Sequence, residues 1–307
     1  MRNAFIKSLS ELAEADDRIW LLTGDLGYTV LEDFAEQFPE RFVNAGVAEQ
    51  NMMGVAAGLA LAGKIPFVYS IANFPIMRCM EQIRNDVCYH NLSVKIVTVG
   101  SGLTYAAYGY THLGVEDLSA MRALPNMKIV SPGDPIEADA ATRALASEPG
   151  PGFLRLGRAG EAVVHQGSLN FKLGKAITLR EGDDCTIIST GSVLTVAADA
   201  AKILADKGIH ARVLSMPSIV PLDVDAVHAA LKTGIIVSIE EHGIGGLGSA
   251  ISEVLAGKAV HFVPMRMPSD APRHAGNQST LRARFGLTAE KLVEAVLSGS
   301  IASQEAS

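Results

Sequence analysis

Cysteine is scarce in this 307-residue chain: Cys79, Cys88 and Cys185 stand apart, with no CxxC spacing. Three scattered thiols build neither a disulfide framework nor a metal site, so they read as reduced thiols of a cytoplasmic protein. Basic excess is lacking too. Lys and Arg number 26 against 33 Asp and Glu, a formal net charge of -7. No basic stripe suits a phosphate backbone, which argues against nucleic acid as a partner. No apolar run has the ~20 residues of a membrane span. The amphipathic start, MRNAFIKSLSELAEADDR, has no signal-peptide core, so no membrane association is expected. Repeats and low-complexity segments are absent.

What is present is apolar bulk. Hydrophobic residues make up 48% and charged ones 19%, the balance of a soluble globular protein with large cores. The length suits two domains of ordinary size.

The most informative stretch is 44–62, NAGVAEQNMMGVAAGLALA, rich in Ala, Gly and Met with one acid, Glu49. After Glu49, Met52, Met53, Val55, Ala56, Leu59 and Ala60 cover most of a helix surface, and so wide an apolar surface implies burial. Burial raises a carboxyl pKa unless a charge or donor compensates. Two readings of Glu49 follow from the residues alone. It is either a solvated acid in the first helical turn, favoured by the dipole, or a buried acid that shares a proton with a ligand.

Along the chain, helical periodicity over 3–15 precedes a strand at 19–23 and a turn at Gly24-Asp25. A helix over 30–37, the 48–62 helix with Gly63 as its C-cap, a strand at 65–70 and a long helix over 75–90 come next. The strand 94–99 leads into a glycine-rich loop, 100–114. A short helix at 119–124, a strand at 128–130, a helix capped by Asp134 and running to Ala146, and a strand at 152–156 complete this unit. Polar and glycine residues over 160–182 break the rhythm. The pattern then restarts with strands at 186–189, 211–215, 235–239 and 260–263, and helices at 193–207, 224–231, 247–255 and 289–297. After Ser298 the tail reads as frayed.

Short strands, apolar on both faces and alternating with helices, describe mostly parallel sheets covered on both sides. The fold class is therefore α/β, with two three-layer domains at 1–165 and 181–307 joined by a linker at 166–180. Ligands of open parallel sheets sit beyond the carboxyl ends of the strands. The segments 25–29, 70–74 and 100–112 all follow strands, and Glu49 opens a helix near the same edge. That edge gathers an acid, an aromatic, a flexible loop and a histidine.

The strings GVAEQNMMGVAAGLA, EQIRNDVCYHNLSVKIV, GYTHLGVEDLSAMRALPNMKIVSPGD and LRLGRAG resemble the pyrimidine-binding domain of transketolases. TIISTGS, ARVLSMPS and SIEEHGIGGLGSAISEVL resemble the C-terminal domain of that family, so the likeness spans nearly the whole chain in order. It is similar above all to the C-terminal subunit of split, two-chain transketolases. The resemblance implies the thiamine diphosphate-binding fold and a two-carbon ketol transfer from a ketose to an aldehyde. The family holds the diphosphate through Mg2+ or Ca2+ at a GDG motif followed by an Asn. This chain has no GDG, so the resemblance implies a separate N-terminal subunit that carries the cation and shares the cofactor, with two copies of each chain.

Carried over residue by residue, the likeness makes Glu49 the partner of the cofactor's aminopyrimidine nitrogen, a proton store for activating the thiazolium carbon. Phe74 falls where an aromatic lies against the pyrimidine. Ile71 stands at a second aromatic position and leaves the ring sandwich one-sided, and Asp25 matches an aspartate near the cofactor between the chains. His112 matches a histidine that faces the thiazolium and substrate, in a loop oriented by Glu116. Arg158, Arg2 and Thr29 match positions that grip a sugar phosphate. Gln82, Arg84 and Asn85 match scaffold and subunit contacts, and Glu241, His242 and His274 are candidate interface or gate residues. Three positions depart from the pattern. Gly100 replaces a His, Leu113 replaces a Gln, and Tyr108 replaces an Asp that reads a sugar hydroxyl. Losing that acid shifts the expected acceptor away from the usual pentose phosphates. The competing expectations are a 1-deoxyxylulose-phosphate-synthase-like or 2-oxoacid-dehydrogenase β-like subunit, or a non-catalytic module of the same fold.

Overall fold

The computed structural model describes residues 1–270 and 272–305. The first half contains α1 (Arg2–Ala15), β1 (Ile19–Thr23), α2 (Glu32–Gln37), β2 (Phe42–Asn44), α3 (Glu49–Leu61), β3 (Ile65–Ile71), α4 (Asn73–Arg78) and α5 (Met80–Gln82). It continues with β4 (Lys95–Val99), α6 (Asp117–Arg122), β5 (Lys128–Val130), α7 (Pro135–Ser147) and β6 (Gly152–Leu156). The second half contains β7 (Ile177–Arg180), β8 (Cys185–Ser189), α8 (Leu194–Asp206), β9 (Ala211–Ser215), β10 (Ser218–Val220), α9 (Val224–Ala230) and β11 (Ile235–Ile239). It ends with α10 (Leu247–Leu255), β12 (His261–Met265), α11 (Gln278–Arg284) and α12 (Ala289–Glu305).

The strands form a seven-stranded sheet, β10-β5-β6-β4-β3-β1-β2, and a five-stranded sheet, β12-β11-β8-β9-β7. Pairing is parallel except for β10 against β5 and β7 against β9, both at edges. The central strands β4, β6, β8 and β11 are buried along their whole length, as sheets covered on both faces require. The α/β class with mostly parallel sheets is thus observed.

Several elements differ from the sequence expectation. The helix expected over 75–90 is interrupted after Arg78 and passes into a π-helical segment, Ile83–Tyr89. A wider turn brings residues four and five apart to one face, and Ile83, Val87 and Cys88 are all buried there. Strand β7 lies inside the stretch assigned to the linker and pairs with β9. Strands β2 and β10 have three residues each, too few for a period-2 pattern to declare itself. Strand β10 follows β9 in the chain yet adds to the first sheet. The last helix runs to Glu305 instead of fraying after Ser298. Asp134 caps α7 as expected, its carboxylate accepting the Glu137 N–H at 2.8 Å.

The two halves share their cores. One cluster joins Met52, Val68 and Ile96 of the first sheet region to Ile188, Leu214, Ile236 and Ile251 of the second. In another, Leu103, Leu113 and Val115 of the glycine loop and its exit join Val193, Ile239, Met267 and Leu281. Each such side chain taken fully from water contributes roughly 1.5–3 kcal/mol, so the loop is anchored to the second half. The three cysteines are free and buried. No helix among the described residues is long and apolar enough to cross a membrane.

Candidate active site at the strand carboxyl ends

Strand β1 ends in a turn whose Asp25 and Thr29 adopt positive φ, 58° and 64°. Neither is glycine, so both conformations are uncommon. Asn44, at the end of β2, holds this turn. Its Oδ1 accepts the Asp25 and Gly46 N–H groups at 3.0 Å each, and its Nδ2 donates to Asp25 Oδ1 at 3.2 Å. The Tyr28 hydroxyl donates to the same carboxylate oxygen at 3.1 Å. Asp25 and Thr29 are exposed, and the Thr29 N–H donates to Glu32 at 2.7 Å. Sequence reasoning misses Asn44 and Tyr28, because each acts through a contact between separate segments or a turn too local to show a pattern.

Gly24 backs onto the next element: a Cβ built there would lie 3.4 Å from Gly46 O and 3.8 Å from Glu49 Cγ. Glu49 is the first residue of α3 and is 6% exposed. Its carboxylate pairs with the Arg78 guanidinium, whose side chain is half exposed. Glu49 is therefore buried, and the Arg78 guanidinium supplies the compensating charge that burial demands. The same guanidinium lies 4.8 Å from the centroid of the Phe74 ring, within cation–π range. Sequence reasoning misses Arg78 as well. Its one signal there is a cation preceding a break in helical spacing.

The row of side chains continues. Phe74 meets His112 edge-on, with centroids 5.4 Å apart, and Tyr108 tilts against His112 at 5.2 Å. Tyr105 meets Tyr108 at 6.1 Å. Tyr105 is half-buried, and burial pushes its hydroxyl pKa up while the charges of Arg2 and Arg158 pull it down. The row thus runs from Glu49 through Arg78, Phe74, His112, Tyr108 and Tyr105 to two arginines. Arg2 and Arg158 meet through a backbone bond of 3.5 Å. Arg2 is the first residue of α1, and its buried Nε has no hydrogen-bond partner. Arg158 is exposed, and its N–H donates to Glu161 at 2.7 Å.

Thr29 stands outside this row on the β1 turn, and Ile71 is half-buried at the end of β3, packed toward the α1–α7 core. Gly100 has φ of 89°, and a Cβ there would fall 2.2 Å from the Tyr105 ring. The tyrosine ring fills the space in which the resemblance expects a histidine side chain. Leu113 is fully buried, and its carbonyl accepts from Asn73. The Tyr110 hydroxyl donates to Glu116 at 2.8 Å, so Glu116 does brace this loop. Arg84 pairs with Glu81 one turn away on the surface.

Of the candidate interface or gate residues, Glu241 and His242 are 3% and 0% exposed, inside the junction of the two halves. The His242 Nε2 accepts the Leu118 N–H at 3.1 Å, a bond only the unprotonated nitrogen makes. His274 is exposed.

Within the row, Arg78, Tyr108 and Arg158 are exposed. A cavity of about 570 Å³ lies elsewhere, between residues 162–166 and α8. Beside Glu49, α3 presents an uncovered apolar face. Val55 and Leu61 are 37% and 72% exposed, and Gly54 and Gly58 have nothing within 4 Å of a built Cβ. Among the described residues no three His, Cys, Asp or Glu side chains gather as a metal-ligand set.

The chain resembles known proteins over most of its length. The family described as "Transketolase, pyrimidine binding domain" matches residues 1–160, and "Transketolase, C-terminal domain" matches residues 174–292. A subunit of the apulose-4-phosphate transketolase of Phocaeicola vulgatus is 39% identical over 300 residues, 96% of each chain. The 6-deoxy-6-sulfo-D-fructose transketolase subunit SqwH of Clostridium sp. (strain MSTE9) is 40% identical, over 96% of this chain and 92% of its own length. A split-gene transketolase solved as an inactive β4 tetramer superposes with a TM-score of 0.88, at 40% identity and 97% coverage of both chains. Thiamine diphosphate is the cofactor that this kinship implies, and a buried acid beside an aromatic face suits its aminopyrimidine. The chain belongs to the transketolase family, as the pyrimidine-binding and C-terminal domains of its two-chain form.

Proposed function

We propose that this chain is the C-terminal subunit of a two-chain, thiamine diphosphate-dependent transketolase that moves a two-carbon ketol unit from a ketose donor to an aldehyde acceptor. The observation that carries this reading is the buried Glu49 at the border between the aromatic row and the uncovered face of α3. An acid so placed is out of water on its own chain but within reach of a group held by another. The cofactor, when bound, supplies the nucleophilic carbon; this chain supplies orientation and proton handling. Glu49 holds a proton at the pyrimidine ring, and Phe74 offers the ring a face. His112 donates to the oxygen of the transferred unit. Asp25 lies near the cofactor at the chain boundary, and Ile71 leaves the other side of the ring without a stacking partner.

The apolar face of α3 is the docking surface for an N-terminal subunit that holds the diphosphate and its Mg2+ or Ca2+, with two copies of each chain. Uncovered apolar patches of this kind mark interaction sites. Arg158 and Arg2 take an anionic group at the far end of the sugar, Tyr108 and Tyr105 line the path to it, and Thr29 adds a donor at its margin. Two relatives are named for sugars that carry a phosphate or a sulfonate, in keeping with such an end.

Co-expression with a partner that carries the GDG and Asn signature tests the reading. Ketose consumption with an aldehyde acceptor, dependent on thiamine diphosphate and on both chains, is the expected result. Release of carbon dioxide from pyruvate would make the pair a synthase instead, and no cofactor binding by the pair would leave a non-catalytic module. Glu49→Gln is expected to assemble and to lose most turnover.

A further inference from the structure

We propose that Glu241, in the C-terminal half of the chain, is a positioning residue for the loop that presents Tyr108 and His112. The inference rests on the role given above to His112. The loop is closed at a neck of two glycines: Gly102 N–H donates to Gly114 O at 2.9 Å, and Gly114 N–H returns to Gly102 O at 3.2 Å. Glu241 lies directly beneath that neck. Gly102 has φ of 59°, and a Cβ there would come within 2.4 Å of the Glu241 Cβ, so only glycine lets the two backbones approach.

The Glu241 carboxylate grips the loop one residue further on, its Oε2 accepting the Leu103 N–H at 3.3 Å. From there the loop is a chain of short turns. Leu103 O accepts from Ala106, Tyr105 O from Tyr108, and Gly109 O from His112. A shift at Leu103 is therefore passed to both tip residues.

Three further groups fix the carboxylate itself. Arg282 Nε donates to Oε1, Gln278 Nε2 to Oε2 at 3.0 Å, and Ser192 Oγ to Oε2 at 3.4 Å. The Glu241 backbone is held as well. Arg155, fully buried, donates Nη2 to both Glu241 O, at 3.0 Å, and Gly114 O, so one guanidinium joins the neck to its support. Its Nε pairs with Asp117 at 2.8 Å. The Gly276 N–H donates to Ala106 O at 3.2 Å and adds a second hold from the C-terminal half. A carboxylate with several donors, removed from water, has one low-energy orientation. The C-terminal half thus sets where His112 stands, without touching substrate or cofactor.

The test uses the full chain and its reconstituted pair. In Glu241→Gln one carboxylate oxygen becomes an NH2 group facing donors, so the loop loosens. The expected result is faster amide exchange at Leu103 and Gly114 and a kcat lower by roughly 10- to 100-fold, the scale of an ångström's misplacement at a reacting centre. Affinity for thiamine diphosphate changes less than kcat, because Glu49 and Phe74 make no hydrogen bond to this network, Phe74 meeting it only through its ring contact with His112. Asp223→Ala serves as the stability control. It removes the cap of α9 and contacts no loop residue, so it lowers the melting temperature and leaves kcat intact.

Should Glu241→Gln fail to fold, the half-buried Arg282 takes its place, with Arg282→Met losing kcat and Arg282→Lys recovering part of it. Wild-type kcat in a folded Glu241→Gln, or in both Arg282 variants, overturns the proposal. A wild-type pair with no turnover counts against the functional reading alone. Unchanged exchange at Leu103 and Gly114 in Glu241→Gln would then overturn the positioning role by itself.

Discussion

The Arg78 guanidinium pairs with the buried carboxylate of Glu49 and also lies 4.8 Å from the centroid of the Phe74 ring. One planar cation thereby makes the two contacts, donor to acid and face to ring, that the functional reading gives to an aminopyrimidine. Arg78→Leu leaves Glu49 buried with no opposite charge. Because the guanidinium is 53% exposed, solvent screens the pair, and the loss is about 1 kcal/mol. Urea unfolding of the isolated chain measures it. The same variant is expected to gain more thermal stabilisation from cofactor plus partner than wild type does.

Tyr108 meets His112 at 5.2 Å and is 69% exposed, so its ring is free to flank a bound sugar. Tyr108→Asp is expected to raise kcat/KM for hydroxylated sugar-phosphate acceptors by roughly tenfold or more relative to less hydroxylated ones. Sites that read a hydroxyl through a polar partner discriminate strongly. Competition between two acceptors in one reaction measures the ratio directly.

Lys95 is fully buried at the amino end of β4, away from the site, and its ammonium donates to Glu148 O and Gly150 O at 2.6 Å each. Lys95→Met orphans both carbonyls. The chain is expected to lose about 2–4 kcal/mol, at the usual cost of unsatisfied buried groups, with kcat of the surviving folded enzyme unchanged. Denaturant midpoints and turnover on the same sample separate the two effects.

Two buried groups at the domain junction titrate in opposite senses. Burial pushes the His242 imidazole down to about 4, with Asp117 opposing and Arg155 assisting. The unfolded chain then takes the proton first, so this contribution is whole above pH 6.5 and is lost as pH falls through 4. Burial pushes the Glu240 carboxyl up to about 7, against the pull of its bonds from Gly248 and Leu247 N–H. Its contribution is whole below pH 4.5 and is lost as pH rises through 7. Relative to wild type, stability of His242→Gln should fall as pH rises from 4.5 to 7, and that of Glu240→Gln should fall as pH drops from 6.5 to 4. Unfolding midpoints across this range check both slopes.

Much of the fold was legible because burial leaves its period in the sequence. Runs such as Val237 with its apolar neighbours mark strands covered on both faces, and the apolar surface after Glu49 marks a packed helix. What escaped were elements defined by their partners. Strand β10 exists because β5 offers an unpaired edge, and the turn at Asp25 is held by Asn44, nineteen residues away. The π-helical turn escaped for a related reason, since only the packed core shows which spacing keeps Ile83, Val87 and Cys88 together.

The α/β class with mostly parallel sheets and the family were legible in the sequence alone, since these follow from hydrophobic period and motif order. Tertiary structure alone decided what each side chain meets. Arg78 reached Glu49, Tyr105 filled the space over Gly100, and Glu241, a candidate interface or gate residue in the sequence, became buried beneath the neck of the His112 loop. The reason is physical: charge pairing and close approach act through space, between residues whose separation along the chain, from Leu103 to Glu241, leaves no local pattern.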